Sequence, residues 1–289
     1  MNKILVIDKP KTYTSRDVVN IISKQFKTKK VGHFGTLDPL ATGVLVIGVG
    51  AFTKLGNILE HDDKEYICEV LVGKSTDTYD VLGEVVEEVK IDNIDKDLLR
   101  DVLYKFKKKY LQEVPIYSAV KVNGKKLYEY ARNNESVLLP KKEVDIKEIE
   151  LLNVDKKTDG LYFCFRAVVS KGTYIRSLIN DISKELNIPL CMSDLRRVRQ
   201  DKFLIANANT LEDIKTLSFK EINLEDVIDC SKEEITSLYE KIILNYGLIK
   251  YKSNTKFIIF TKNNENIVLY GPYEKDCNYM KPYIILKEN

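Results

Sequence analysis

Gly32-His33-Phe34-Gly35-Thr36-Leu37-Asp38-Pro39-Leu40-Ala41-Thr42-Gly43 places an acid, a histidine and three glycines in twelve residues. A basic pair, Lys29 and Lys30, precedes it, and the apolar run Val44 to Val49 follows. Asp38 stands before a proline, which restricts its backbone to an extended or turn conformation. The flanking glycines let the loop approach a ligand closely. A carboxylate held in this way can act as nucleophile or base, although an aspartate in a Gly/Pro loop also commonly caps a turn. His33 is open to two readings, a catalytic group or a structural donor.

Working outward, Ile4 to Ile7 reads as a short strand ended by Asp8-Lys9-Pro10. Ser15 or Thr14 can cap the following helix, in which Val18, Ile21, Ile22 and Phe26 recur at helical spacing. Val44 to Val49 is a strand or a buried helix piece, with length and β-branching favouring a strand. From Tyr66 the period becomes two. Tyr66, Cys68, Val70 and Val72 share one side, Gly73 closes the strand, and Val81 to Val89 is its predicted partner across a turn. A helix is predicted over Lys96 to Lys109, ending before Pro115. Asn123-Gly124 marks a tight turn, and a short helix is predicted over Lys125 to Arg132. Leu161 to Ala167 alternates as another strand. Ser170-Lys171-Gly172-Thr173 then turns the chain into a helix whose stripe is Ile175, Leu178, Ile179, Ile182 and Leu186. Arg176 lies one residue off that stripe, facing an opening between strand ends, and a KGTYIR helix start suggests anion binding. Further on come a predicted helix, Lys232 to Leu244, and short strands at Phe257–Phe260, Ile267–Tyr270 and Tyr283–Leu286. The pattern is α/β of the α+β kind, with a boundary near Ser231.

Composition narrows the function classes. A chain of 289 residues, 44% apolar and 31% charged, reads as globular. Its start lacks the order of a signal peptide, and no apolar run is long enough to span a bilayer, so a cytoplasmic protein is expected. Five scattered cysteines without a CxxC pair, and only two histidines, His33 and His61, argue against a disulfide scaffold or a metal site. Charge is uneven: residues 1–202 carry 35 basic against 30 acidic residues, a net +5, whereas residues 203–289 carry −2. Three of the eight arginines are Arg196, Arg197 and Arg199. This cluster reads as a phosphate-binding footprint or as a solvated basic edge. No Rossmann or P-loop motif occurs.

Taken together, these blocks resemble the bacterial tRNA pseudouridine synthase B family, in the right order over about residues 3–199. Gly32 to Gly43 is similar to the family's signature loop, with Asp38 at its catalytic aspartate and His33 at a histidine that helps turn the base out of the RNA. Phe34 departs from the pattern, where a small polar residue is usual, and on this reading alters contacts beside the RNA. Lys9-Pro10 resembles the first motif, which supports the loop. Tyr66 matches the tyrosine that stacks on the base, though by itself it reads equally as a core aromatic. Arg176 in Ser170-Lys171-Gly172-Thr173-Tyr174-Ile175-Arg176 matches the arginine that pairs with the aspartate, with Tyr174 in the pocket wall and Lys171 beside it. Leu195-Arg196-Arg197 resembles the last motif, in which the leucine packs on the base and the basic residues approach RNA.

The resemblance implies a pseudouridine synthase core of mixed, largely antiparallel sheet over residues 1–230. An insertion that grips the T-arm is expected near 117–145, and a small PUA-like β domain over 231–289. It implies isomerisation of uridine 55 in the T-loop of tRNA, with Asp38, Tyr66 and Arg176 catalytic. Lys9, His33, Lys171, Tyr174, Leu195, Arg196 and Arg197 would be RNA- or base-binding. It further implies no cofactor, no guide RNA and a monomer acting directly on tRNA. The alternatives are a tRNA-binding or tRNA-folding module without catalysis and a glycoside hydrolase-like enzyme, for which a second acid paired with Asp38 is not evident.

Overall fold

The apolar run after the glycine-rich loop is apolar throughout because both its faces are covered. In the computed structural model, which describes residues 1–59 and 63–287 and so leaves His61 outside, it forms β3 (Thr42–Val49), buried at seven of eight positions. β1 (Lys3–Lys9) lies antiparallel to it, with Leu5 opposite Ile47 and Val6 opposite Val46. Leu5, Ile7, Leu45 and Ile47 face one core, while Ile4, Val6, Val44 and Val46 face another. A strand buried on both faces loses the polar/apolar alternation of a half-exposed one.

Between these strands lie α1 (Ser15–Gln25) and β2 (Val31–His33), which pairs with β3. Thr14 caps α1 in a reciprocal arrangement with Asp17: its hydroxyl accepts the Asp17 N–H at 3.0 Å and the Asp17 carboxylate accepts the Thr14 N–H at 2.8 Å. After α2 (Gly56–Leu59) comes β4 (Lys64–Val72), whose buried side carries Tyr66, Cys68, Val70 and Val72 as the alternation requires. Its neighbours differ from expectation. Only Val85–Glu88 of the segment 81–89 is a strand; this β6 is exposed throughout and pairs with β5 (Lys74–Thr76). β4 is flanked instead by two longer strands that pair with both its edges, β11 (Gly160–Val169) and β12 (Leu190–Gln200).

α3 ends at Lys105 (Lys96–Lys105), because Lys109 already begins β7 (Lys109–Glu113). β7 pairs with β10 (Lys141–Lys157), a 17-residue strand whose charged, mostly exposed sequence hid it. Between them come the hairpin of β8 (Lys121–Val122) and β9 (Lys125–Lys126), then α4 (Leu127–Arg132). α5 (Ile175–Leu186) buries Ile175, Leu178, Ile179 and Ile182, and stops at Asn187, which is left-handed at φ 53°. β12 turns back as β13 (Phe203–Leu204), giving the nine-stranded sheet β1-β3-β12-β4-β11-β10-β7, with β2 and β13 as side pairs. All pairings are antiparallel except β12 with β3, so the sheet is mixed and largely antiparallel.

After α6 (Leu211–Lys215) and α7 (Leu224–Val227), the chain forms a five-stranded sheet. It is built from β14 (Cys230–Glu234), β15 (Ile249–Lys250), β16 (Phe257–Lys262), β17 (Glu265–Pro272) and β18 (Tyr279–Ile285). Here the helix predicted over Lys232–Leu244 is corrected. Its first part is β14, which pairs in parallel with β16, and only α8 (Glu240–Leu244) is helical. Pairing to a formed sheet overrides a weak local preference. Phe257, Ile259, Leu269 and Ile284 of this small sheet share a core with Ile4, Val6, Val44 and Val46. All five cysteines are free thiols, and no helix among the described residues is long and apolar enough to cross a membrane.

Candidate active site

The loop between β2 and β3 is tied down at nearly every peptide around Asp38. The hydroxyl of Ser15, a buried residue in the first turn of α1, accepts the Leu37 N–H at 2.9 Å and donates to the Leu37 carbonyl at 3.1 Å. Pro39 O accepts the Thr12 N–H at 2.8 Å, and Ala41 N–H closes a turn on Asp38 O at 3.1 Å. The Lys9 ammonium donates to Tyr13 O at 2.6 Å, to Pro10 O at 3.0 Å and to Pro39 O at 3.4 Å. Burial pushes Lys9 down to about 8, against the pull of nearby Asp38. From the other side, Arg197 donates to Gly35 O at 3.0 Å and Gln200 to Phe34 O at 2.6 Å. Gly43 sits at φ 100° against the backbone of Arg197, where a β-carbon would meet its carbonyl. The loop is therefore clamped between α1 and β12, with the Asp38 side chain left 37% exposed.

Arg176 meets that carboxylate. It is the second residue of α5 and is buried, and its Nε donates to Asp38 Oδ2 at 2.9 Å. Its Nη1 and Nη2 donate to Thr78 O at 3.1 Å and Tyr117 O at 3.0 Å. Asp80 Oδ2 lies 3.9 Å from the same Nε. The buried Asp80 carboxylate accepts the Thr78 hydroxyl at 2.9 Å and the Leu82 N–H at 3.0 Å. A guanidinium held by three segments aims one charge-assisted hydrogen bond at Asp38 and fixes its rotamer.

Asp38 and Arg176 stand in the wall of a cavity of about 290 Å³. Tyr66, Tyr174 and Leu195 supply apolar wall, and among the described residues five cations (Lys64, Lys142, Lys171, Arg176, Arg197) line it with Asp38 as the only carboxylate. Such a mixture of flat apolar side chains with a few converging charges suits a planar, polar ligand that carries negative charge. Tyr66 serves both readings given to it: it belongs to the core and to the cavity wall, its hydroxyl 3.5 Å from Arg197 Nη1. The Tyr174 amide donates to Gln112 Oε1 at 2.8 Å, and burial raises its phenol above the ordinary range.

Strand geometry sets the surroundings of several expected positions. Lys9 is fully buried and serves the loop instead of a ligand surface. Arg196, Arg197 and Arg199 are each met by acceptors, because β12 lies inside the sheet and its neighbours supply them, although the Arg196 side chain stays 40% exposed. Arg196 makes a bidentate pair with Asp8, at 2.7 and 3.1 Å. Arg197, with no exposed surface, donates to Val44 O at 2.6 Å as well as to Gly35 O. Arg199 pairs with Glu65 at 2.9 Å. His33 is half-buried on β2 opposite Ile47, outside the cavity wall. Phe34 points away from the cavity into the second core with Val44, Val46 and Leu55, its ring filling the space over Gly48.

Sequence reading passed over Ser15 as a clamp, Gln112, Lys64 and Lys142. Lys64 was within reach, since it lies two residues from Tyr66 on an alternating strand and so shares its face. Lys142 carried no local signal.

Residues 23–175 match the family described as TruB family pseudouridylate synthase (N terminal domain). The tRNA pseudouridine synthase B of Lactobacillus acidophilus is 38% identical over 299 aligned residues, covering 100% of this chain and 99% of its own. That of Oceanobacillus iheyensis is 40% identical over 294 residues, covering 98% and 96%. Among solved structures, an H/ACA RNP bound to a substrate RNA containing 2′-deoxyuridine superposes with a TM-score of 0.66 at 20% identity, covering 99% of this chain and 85% of that one. A Cbf5-Nop10-Gar1 complex gives 0.66 at 22% identity, covering 99% and 84%, so the fold extends to these far more distant chains. With its clamped aspartate loop, its arginine partner and relatives matching from end to end, this chain belongs to the TruB family of pseudouridylate synthases.

Proposed function

We propose that this protein converts uridine 55 in the T-loop of tRNA to pseudouridine, acting alone as a cytoplasmic monomer. The uridine is shielded inside the folded loop, so the nucleotide must be extruded into the Asp38 cavity. There the C1′–N1 bond breaks, the uracil turns, and C1′ bonds to C5; the C5 proton leaves and N1 regains one. Asp38 either attacks C1′ or takes a proton from C2′. Arg176 orients Asp38, Tyr66 stacks on the base and assists removal of the C5 proton, and Leu195 and Tyr174 pack around it. His33 fills the gap left in the RNA, and Lys171 stands at the cavity. We place the catalytic domain at residues 1–230, with the T-arm grip near 117–145, and the small domain at 231–289.

The observation that carries this reading is the 2.9 Å pair of Arg176 with a half-exposed Asp38 in the wall of a cation-lined cavity. The test is tritium release from a T-arm RNA labelled at uridine C5, followed by mapping of pseudouridine in the product. Wild-type protein is expected to release tritium. Asp38→Asn is expected to release none while binding the RNA within about tenfold of wild type, a shift of about 1.4 kcal/mol. Full turnover by Asp38→Asn rejects the assignment. RNA binding by a wild-type protein that releases no tritium would favour a non-catalytic folding module.

A further inference from the structure

We infer that Lys142 is a substrate-positioning residue that binds a backbone phosphate of the extruded nucleotide at the mouth of the Asp38 cavity, its stem passing over Gly172. This rests on the functional reading above and adds to it a residue and a ligand group.

Lys142 lies on β10 directly opposite Gln112 of β7. Directly opposed residues of an antiparallel pair project from the same face. Gln112 uses that face to accept the Tyr174 N–H, so both side chains are directed at the turn leading into α5. The same ribbon grips the turn at its other end, where Asp145 N–H donates to Ser170 Oγ at 2.8 Å and Ser170 N–H donates to Asp145 O at 2.9 Å. The turn is thus fixed relative to Lys142.

Gly172 lies in this turn at φ 83°, a conformation that residues with a side chain rarely adopt. A β-carbon there would overlap Lys142 Nζ and stand 2.7 Å from its Cε and 3.1 Å from its Cδ. The lysine stem therefore occupies the space in which any other residue's side chain would begin. That route takes the ammonium to the cavity wall, beside the turn that leads into Tyr174 and Arg176.

The cations of the wall are not equivalent. Arg176 and Arg197 spend their donors on Asp38 and on backbone carbonyls. Lys142 is exposed, and its ammonium has no hydrogen-bond or ion-pair partner among the described residues. With sugar and base inside and C1′ at Asp38, the flanking phosphates stay at the opening. A compact ammonium with its donors to spare is suited to such a phosphate.

A stem that merely packs over Gly172 would be equally served by methionine, and the experiment turns on that difference. Turnover and binding of a T-arm hairpin RNA are measured between about 50 and 200 mM salt for wild type, Lys142→Met and Lys142→Arg. For Lys142→Met, KM is expected to rise about 3- to 10-fold at low salt. The slope of log affinity against log salt should become shallower by about 0.7 to 0.9, the loss of one phosphate contact. Lys142→Arg should restore both. Wild-type turnover together with a Lys142→Met enzyme of wild-type KM and slope overturns this inference alone. Absence of turnover in the wild type overturns the functional reading and this inference with it.

Discussion

Ser15 Oγ lies 2.9 Å from the amide nitrogen and 3.1 Å from the carbonyl oxygen of Leu37, so one hydroxyl satisfies both backbone polar groups of the residue before Asp38. The serine is buried and is not the cap of its helix, since Thr14 takes that part. Its position is thus set by the helix and transmitted to the loop. Ser15→Ala leaves a buried donor and acceptor unpaired, at about 1–3 kcal/mol. Because that cost falls on the peptide next to Asp38, kcat on a T-arm RNA is expected to fall about 10- to 100-fold with KM changed far less. Steady-state kinetics check this, and an unchanged kcat would mean that the loop does not depend on the clamp.

Arg176 uses its planar fork in three directions, towards Asp38, Thr78 O and Tyr117 O. A lysine has one ammonium and cannot span those three acceptors, so Arg176→Lys keeps the charge and loses the geometry. We expect a kcat loss of at least about 100-fold, with RNA affinity near wild type, since misplacing a reacting group costs about that factor. Asp80→Asn should move kcat in the same direction by less, because Asp80 stands 3.9 Å from Nε and acts on Asp38 only through Arg176. Single-turnover rates on saturating RNA distinguish these outcomes. A lysine variant at wild-type rate would show that charge alone suffices.

The regular elements around the site were legible where burial imposes a period, as in the alternation of Tyr66, Cys68, Val70 and Val72 and the stripe of α5. They were not legible where pairing decides. β10 shows no alternation because most of its residues are exposed, and β14 looks helical until β16 lies beside it. The same limit holds for the site. Asp38 and Arg176 stood out because their motifs are local, whereas the neighbours that consume the arginines of β12 come from β1, β3 and β4. A basic cluster on a central strand looks from sequence like a free surface, but here each arginine is paired by a neighbouring strand and Arg197 is wholly internal.

Lys9 supplies a pH test of the loop support. Burial lowers its folded value to about 8, with Asp38 opposing, while the unfolded chain keeps a lysine near the ordinary 10.5. Between those values the unfolded state binds the proton and the folded state does not, so stability from this group rises with pH across about 8 to 10.5. Below pH 8 the full cost of burying the charge is present. The stability of wild type relative to Lys9→Met, read from urea unfolding at pH 7, 8, 9 and 10, is expected to move in favour of wild type as pH rises. A flat difference would place the Lys9 charge in water.

Phe34, where the family pattern has a small polar residue, faces the core shared with the C-terminal sheet. It is 2% exposed, and a β-carbon on Gly48 would lie 2.6 Å from its ring. Its backbone carbonyl, held by Gln200, does not depend on the side chain. Phe34→Ala should therefore cost about 3–5 kcal/mol of unfolding free energy, the range for emptying a buried aromatic site. KM for T-arm RNA should stay within about twofold, because the ring does not reach the cavity; that factor is worth only about 0.4 kcal/mol. Urea unfolding and kinetics at 25 °C separate the two effects. A variant of unchanged stability but severalfold weaker RNA binding would put the ring beside the RNA, contrary to its place among Val44, Val46 and Leu55.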